Sequence, residues 1–315
     1  MKKELLYYMN VGILISTNNY ERLIEYCEEY FAGFVLHEQI ENCSIDMRIY
    51  IGSKKDFNAH YLVYLPEHNL FHVYRKRQSN RIYITNIQEK CEHEFMRLIR
   101  KLIIYCLAQQ KCTFLHAACV AKKETAVAII GDKFAGKTTT CLSLLKQGWD
   151  FVSNDKLIIR SLTNKNVQCW GLPIALGIRE GAKSIFASEM EGIKLNSDDN
   201  RYYMDPGQLI ERFKTRINNS AQLKLIIVPV YRDEVTKNSI EEVSRFEVKR
   251  LLKKQVLSCS HGDRKRMCFE EIQEQGNIEE LIEIPTYKII VNQYLNPELN
   301  SVIEEILKKE RECHV

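Results

Sequence analysis

The run Gly131-Asp132-Lys133-Phe134-Ala135-Gly136-Lys137-Thr138 fills every position of the pattern G-x-x-x-x-G-K-[ST]. Two glycines permit a tight turn whose backbone N–H groups converge on anionic oxygens, and a helix opening at the same place directs its positive end there. Lys137 adds a mobile charge for the outer phosphates of a nucleotide, Thr138 a hydroxyl ligand for Mg2+, and Thr139 a further phosphate contact. The chemistry of such a turn is to hold a nucleoside triphosphate, so residues 131 to 139, ATP and Mg2+ form the expected binding set. A chance match is the competing explanation, and the context weighs against it. Thr125 to Ile130 reads as a buried strand running into the turn. Cys141, Leu142, Leu144 and Leu145 read as the apolar side of a helix ending at Gly148, where a left-handed cap is wanted.

A carboxylate stands nearby. Phe151-Val152-Ser153 reads as a short apolar strand, and Asn154-Asp155 after it puts Asp155 at the end facing the turn. Asp155 can ligate the metal, directly or through water, or take the proton of an attacking hydroxyl, and a turn-forming Asn-Asp pair is the plainer alternative. His116 falls in a strand read from Thr113 to Ala121, and adjacent parallel strands bring its end beside the turn. A lone histidine in an apolar strand is otherwise a hydrogen-bonded core residue. Arg179, closing the segment Gly171 to Arg179, can neutralise a transferring phosphate or be an ordinary surface arginine. Arg201 and Asp205, in Arg201-Tyr202-Tyr203-Met204-Asp205-Pro206, offer the same types of group without a motif around them.

Residues Thr113 to Arg160 resemble the catalytic core of the HPr kinase/phosphorylase family and its smaller kinase-like relatives, a nucleotide fold shared with phosphoenolpyruvate carboxykinases. The order of parts carries the resemblance: histidine-bearing strand, short hairpin, glycine turn, helix ending in Gly148, acidic strand end. It weakens through Ile284-Pro285-Thr286-Tyr287-Lys288 and has no motif in the first third of the chain. The resemblance implies ATP and Mg2+ at the turn, phosphoryl transfer to a peptide or protein serine, and His116 in the position of an active-site histidine. The family's two consecutive aspartates fall on Asn154 and Asp155, so an amide replaces one carboxylate. An amide can orient a hydroxyl but cannot serve as a base. Relatives with an extra N-terminal domain accompany ribosomally made peptides, which makes a precursor-peptide serine an implied acceptor. The expected catalytic set is His116, Asn154, Asp155 and Arg179, with Thr138 and Asp155 on the metal. Two readings stand beside a kinase: an ATP-binding protein that recruits a partner without phosphorylating it, and a small-molecule kinase.

The elements that must position these groups are legible from periodicity. A chain of 315 residues divides most naturally into two domains. The expected boundary follows residue 110, with a smaller α+β domain over 1–110 that positions the acceptor and an α/β P-loop domain, HPr-kinase/PEP-carboxykinase-like, over 111–315. Met47 to Ile51 and Tyr61 to Leu65 alternate as strands, while Phe95, Leu98, Ile99, Leu102, Ile103, Cys106 and Leu107 recur at helical spacing. Later strands are expected over Lys156 to Ile159 and Leu223 to Val230. Ser239 with Glu242 reads as a capping box opening a helix. A last helix starts near Pro297 under an Asn296 cap, with Val302, Ile303, Ile306 and Leu307 as its apolar stripe.

Composition removes several function classes. Forty-five basic and 41 acidic residues are mixed along the chain, so there is no domain-wide basic field and no nucleic-acid partner is expected. Arg75-Lys76-Arg77 and Arg264-Lys265-Arg266 read as solvated clusters or a docking patch for an acidic partner. Eleven cysteines with no C-x-x-C spacing speak against a disulfide framework or zinc ribbon and for a reducing cytoplasm. Cys112 and Cys119 read as small buried residues, and the pair His68 and His72 lacks a third metal ligand. The longest apolar run, Leu102 to Ala108, falls short of the ~18 residues of a membrane span, and no signal peptide is apparent. A soluble cytoplasmic protein with no membrane partner is expected, with homo-oligomerisation left open.

Overall fold

The computed structural model describes residues 2–31, 36–37, 44–53, 62–65, 70–76, 79–162, 166–172, 174–197, 199–232, 239–257, 278–291 and 298–312. Within these the fold is mixed α/β, in two compact units, one running to Lys111 and the other starting at Cys112. His68, Arg77, the 264–266 cluster and the expected Asn296-Pro297 cap lie outside the described residues.

The first unit contains β1 (Lys2–Tyr8), β2 (Val11–Thr17), α1 (Glu21–Tyr30), β3 (Leu36–His37), β4 (Met47–Ile51), β5 (Leu62–Leu65), β6 (His72–Lys76), β7 (Arg81–Thr85) and α2 (Glu92–Gln109). The strands form one sheet in the order β3-β1-β2-β4-β7-β6-β5. Alternation in β4 buries Met47, Ile49 and Ile51, and the helical stripe of α2 is buried as its spacing predicts. Arg75 departs from the solvated cluster expected of it. It is buried, with Nε donating to the Ser79 carbonyl at 3.2 Å and its guanidinium 6.0 Å from the Tyr105 ring centre. A strand position facing a helix decides this, whatever charge run surrounds it. His72 pairs with the Asn86 side-chain amide across 2.9 Å.

The second unit begins with β8 (Thr113–Leu115), β9 (Ala118–Lys122), β10 (Thr125–Ile129), α3 (Lys137–Lys146), β11 (Asp150–Ser153), β12 (Leu157–Ser161) and β13 (Val167–Gly171). It continues through β14 (Leu176–Ile178), α4 (Glu180–Ile185), β15 (Leu195–Asn196), β16 (Arg201–Met204), α5 (Pro206–Phe213) and β17 (Ala221–Tyr231). It closes with β18 (Ser239–Glu242), α6 (Arg245–Gln255), α7 (Glu279–Ile282), β19 (Thr286–Val291) and α8 (Leu299–Glu312). The large sheet runs β11-β9-β10-β17-β13-β12-β8, with β19 beside β17 and β18 beside β19; a small sheet runs β14-β16-β15. Among the described residues, no helix is long and apolar enough to cross a membrane.

Three expectations need correction. The strand read from Thr113 to Ala121 is two strands, broken at His116-Ala117, because the His116 N–H turns to the Gln255 carbonyl at 2.7 Å. β9 and β10 are antiparallel, so His116 comes near the turn as the start of a hairpin whose partner ends there. Ser239 opens no helix: it lies on a strand paired with β19, and the helix cap comes five residues later, where the Ser244 hydroxyl accepts the Glu247 N–H. Both strings read S-x-x-E, and only the second precedes helically spaced buried residues, Val248 and Leu252.

Gly148 closes α3 as expected. Its φ is +86°, its N–H donates to the Leu145 carbonyl at 3.0 Å, and the Trp149 N–H donates to the Leu144 carbonyl at 3.2 Å, a Schellman arrangement. A Cβ there meets no atom within 4 Å, so the cost of a side chain is conformational only. Gly148→Ala is expected to lower unfolding stability by about 1–2 kcal/mol, the left-handed penalty of an L-residue. Urea denaturation of both proteins measures it.

Candidate phosphate-binding site

β10 brings the chain to the turn, and the Ile130 N–H donates to the Ile227 carbonyl at 3.0 Å, fixing where the turn starts. Gly131 has φ +155°, and a Cβ on it would stand 2.9 Å from the Ala135 Cβ, closer than real side chains approach. Gly136 is left-handed at φ +88° and precedes the first residue of α3. Phe134 also takes a positive φ, 71°, at the apex, a conformation an aromatic residue adopts only when its surroundings hold it. Its ring is 73% exposed, with the Arg179 guanidinium 4.9 Å and the Lys133 ammonium 5.2 Å from its centre.

Lys137 is buried, and its ammonium curls back to donate to the carbonyls of Gly131 at 2.8 Å and Asp132 at 3.2 Å. Burial pushes its pKa below the ordinary lysine value, opposed by the fields of Asp155 and Asp132. Thr139 is buried beside it, while Thr138 is half-buried. β11 then delivers Ser153, Asn154 and Asp155. His116 Nε2 lies 3.6 Å from Asp155 Oδ1, an ion-pair rather than a hydrogen-bond distance. Burial by itself raises the Asp155 pKa. The neighbouring His116 ring, then Arg201 and Lys137, outweigh it and hold the carboxyl below the ordinary aspartate value. Asp155 is therefore an anion at neutral pH.

The sign of the resulting pH dependence follows. A carboxyl depressed in the folded state adds stability in full above the pKa of the unfolded chain, ~3.9, and loses it as pH falls through the lower folded value. The stability difference between wild type and Asp155→Asn is therefore expected to shrink from pH 6 to pH 3. Chemical denaturation at the two pH values checks it; a difference that stays constant would show that Asp155 is not held by these positive groups.

Asn154 is 2% exposed, and its Oδ1 has no hydrogen-bond partner among the described residues. The structure thus turns Asn154 inward and leaves Asp155 facing the turn. Arg179, one residue beyond β14, reaches the turn through Phe134. Arg201 rises from one without a motif to a group whose field acts on Asp155. Gly177 makes room for it, since a Cβ there would come within 3.3 Å of Arg201 Nη1 and the Tyr203 ring. Tyr203 donates to the Asp199 carboxylate, and burial, then that bond, raises its pKa. Two-residue alternation puts Arg201 and Tyr203 on one face of β16, with Tyr202 and Met204 buried on the other. That alternation was the available signal for both. Asp205 takes a different part: its side chain caps α5 in a reciprocal box with Gln208.

Two further groups at the turn had no sequence signal. Lys254, near the end of α6, lies 3.8 Å from Asp132, and the Gln255 carbonyl holds His116 as described. Cys112 and Cys119 are buried as read, the first pushed up to about 11 by burial and the second raised well above its ordinary value. Neither is poised as a nucleophile. No group of three or more His, Cys, Asp or Glu side chains among the described residues could hold a metal by itself. Thr138 and the ionised Asp155 offer hard oxygen donors, the set that suits Mg2+ held by one carboxylate together with substrate phosphates.

No protein-family model matches the chain, and no curated protein matches it. Among solved structures, it is similar to the Hpr(Ser) kinase/phosphatase from Coxiella burnetii, at 14% sequence identity and a TM-score of 0.31. That match covers 64% of this chain and 97% of the other.

Proposed function

We propose that this protein is a kinase that uses ATP and Mg2+ to phosphorylate a serine hydroxyl of a peptide or protein. The observation that carries the reading is the meeting, in one unit, of the glycine turn with Lys137 and of an Asp155 carboxylate kept ionised beside His116. Backbone N–H groups of the turn and the first turn of α3 bind phosphate oxygens, and Lys137 exchanges its carbonyl partners for them. Thr138 and Asp155 would hold Mg2+, which supplies neutralising charge on the phosphates when bound. Asp155 accepts a hydrogen bond from the acceptor hydroxyl, aligns it and takes its proton as the bond to the γ-phosphorus forms and the bond from that phosphorus to the bridging oxygen breaks, releasing ADP. His116 steadies the carboxylate, and Arg179 and Arg201 supply positive charge for the transferring group.

Asn154 favours a second reading, an ATP-binding protein that recruits a partner without phosphorylating it. A buried amide stands where a second carboxylate would otherwise be, so Asp155 must orient both metal and hydroxyl. Mass spectrometry of candidate acceptors after incubation with ATP and Mg2+ separates the two. Phosphoserine on an acceptor supports the kinase; nucleotide binding without modification of any acceptor supports the recruiter.

A further inference from the structure

α6 buries Val248, Leu252 and Gln255, which accounts for one of its faces. The opposite face is unusual. Phe246 is 83% exposed, the highest value among the exposed large apolar side chains described, and Arg250 and Lys253 follow it at i+4 and i+7, on the same stripe. The helix carries five basic residues and one acidic one. Neighbouring acids neutralise only part of that excess. Arg245 pairs with Glu283 at 2.6 Å, Lys249 with Glu279 at 2.8 Å, and Lys254 with Asp132 at 3.8 Å. Glu247 faces Lys288 at 3.0 Å as well as Arg250 at 3.6 Å, so it cannot fully neutralise Arg250. Lys253 has no acidic partner among the described residues. Cations in a last helical turn suit the macrodipole, which accounts for Lys253 and Lys254 but leaves Phe246 and Arg250 unexplained by the fold.

The stripe leads to the candidate site. The carbonyl of Gln255, the last residue of α6, accepts the His116 N–H, and Lys254 touches the turn. From Phe246 to Gln255 the helix rises about 13 Å, a length that an extended peptide covers in about four residues. We propose that α6 is the docking helix for the acceptor: an acidic peptide segment with one apolar residue lies along Phe246, Arg250 and Lys253 and delivers a serine, more than about four residues further on, past the end of the helix to Asp155. The apolar residue covers the Phe246 ring, and carboxylates answer the uncompensated charge of Arg250 and Lys253. This rests on the kinase reading for the fate of the serine, but not for the docking itself.

The test uses the full chain and two fluorescein-labelled peptides, each with a single serine. One carries a leucine and glutamates on one side of the serine; the other has lysines in place of the glutamates. Anisotropy without nucleotide is expected to show the acidic peptide bound at least ~10-fold tighter. Phe246→Ala is expected to weaken it about 10-fold. The double variant Arg250→Glu, Lys253→Glu is expected to reverse the preference toward the lysine peptide, with ATP affinity unchanged. Equal binding of the two peptides, or an acidic preference untouched by both variants, would overturn the proposal. Retained acidic preference with no phosphate transferred from ATP would instead overturn the kinase reading and leave the docking helix standing.

Discussion

Removing the Lys137 ammonium is expected to lower affinity for ATP with Mg2+ by about 100-fold, the scale of losing charge-assisted hydrogen bonds to phosphate. Lys137→Ala and Lys137→Met separate charge from packing. Lys137 is buried and holds the Gly131 and Asp132 carbonyls, so both variants leave two acceptors unpaired, and alanine leaves a gap as well, whereas methionine fills most of the volume. Both variants are expected to melt cooperatively without nucleotide. Wild type gains ~2.7 kcal/mol of stability at a ligand concentration 100 times its dissociation constant, a gain that both variants largely lose at that concentration. Titration calorimetry gives the affinities directly. Binding within a few-fold of wild type in Lys137→Met would sink the phosphate-binding assignment of the turn.

The second large effect belongs to Asp155. Asp155→Asn is expected to slow phosphoryl transfer by ~100-fold or more while nucleotide still binds, because the amide can point a hydroxyl but cannot take its proton. The same change removes a negative field from Lys137, so affinity for ATP without metal is expected to hold or rise while the dependence on Mg2+ weakens. Asn154→Asp serves as the counterpart. Asn154 is turned into the protein, so a carboxylate there enters a buried position and is expected to destabilise the fold rather than to double the catalytic pair. Single-turnover transfer and affinity, measured together for each variant, decide the matter: undiminished transfer in Asp155→Asn would remove this residue from the chemistry.

Local grammar made part of this architecture legible. The glycine turn, the Gly148 cap and the α2 stripe each arise from conformational needs that only certain residues meet within a few positions, so a sequence window contains the whole cause. Other features depend on a partner far along the chain. His116 interrupts a strand because Gln255 offers it a carbonyl, a cause 139 residues away that no window around His116 contains. Ser239 and Ser244 carry the same capping string, and pairing with β19 chooses between them. Arg201 becomes part of the Asp155 environment through the small sheet, whose strands of two to four residues give periodicity little length on which to register. Arg75 shows the reverse error, a charge run read as surface when strand alternation had already turned its first residue inward.

The bracing of α3 bears on how the unit assembles. At the end far from the turn, Trp149 Nε1 donates to Asn300 Oδ1 at 2.7 Å, and the Asn300 N–H donates to Gln147 Oε1 at 3.0 Å, links across 151 and 153 residues. Parallel pairing of β10 with β17 and of β17 with β19 adds further closures that only distant segments can make. Such a topology folds slowly, since each long loop must close before its contacts repay the lost chain entropy. The stretch from Thr113 to Arg160 holds nearly all the recognisable chemistry, but β10 and β12 each pair on one side with a strand beyond it, β17 and β13. Excised, it would carry the motif with those two sheet edges left unpaired.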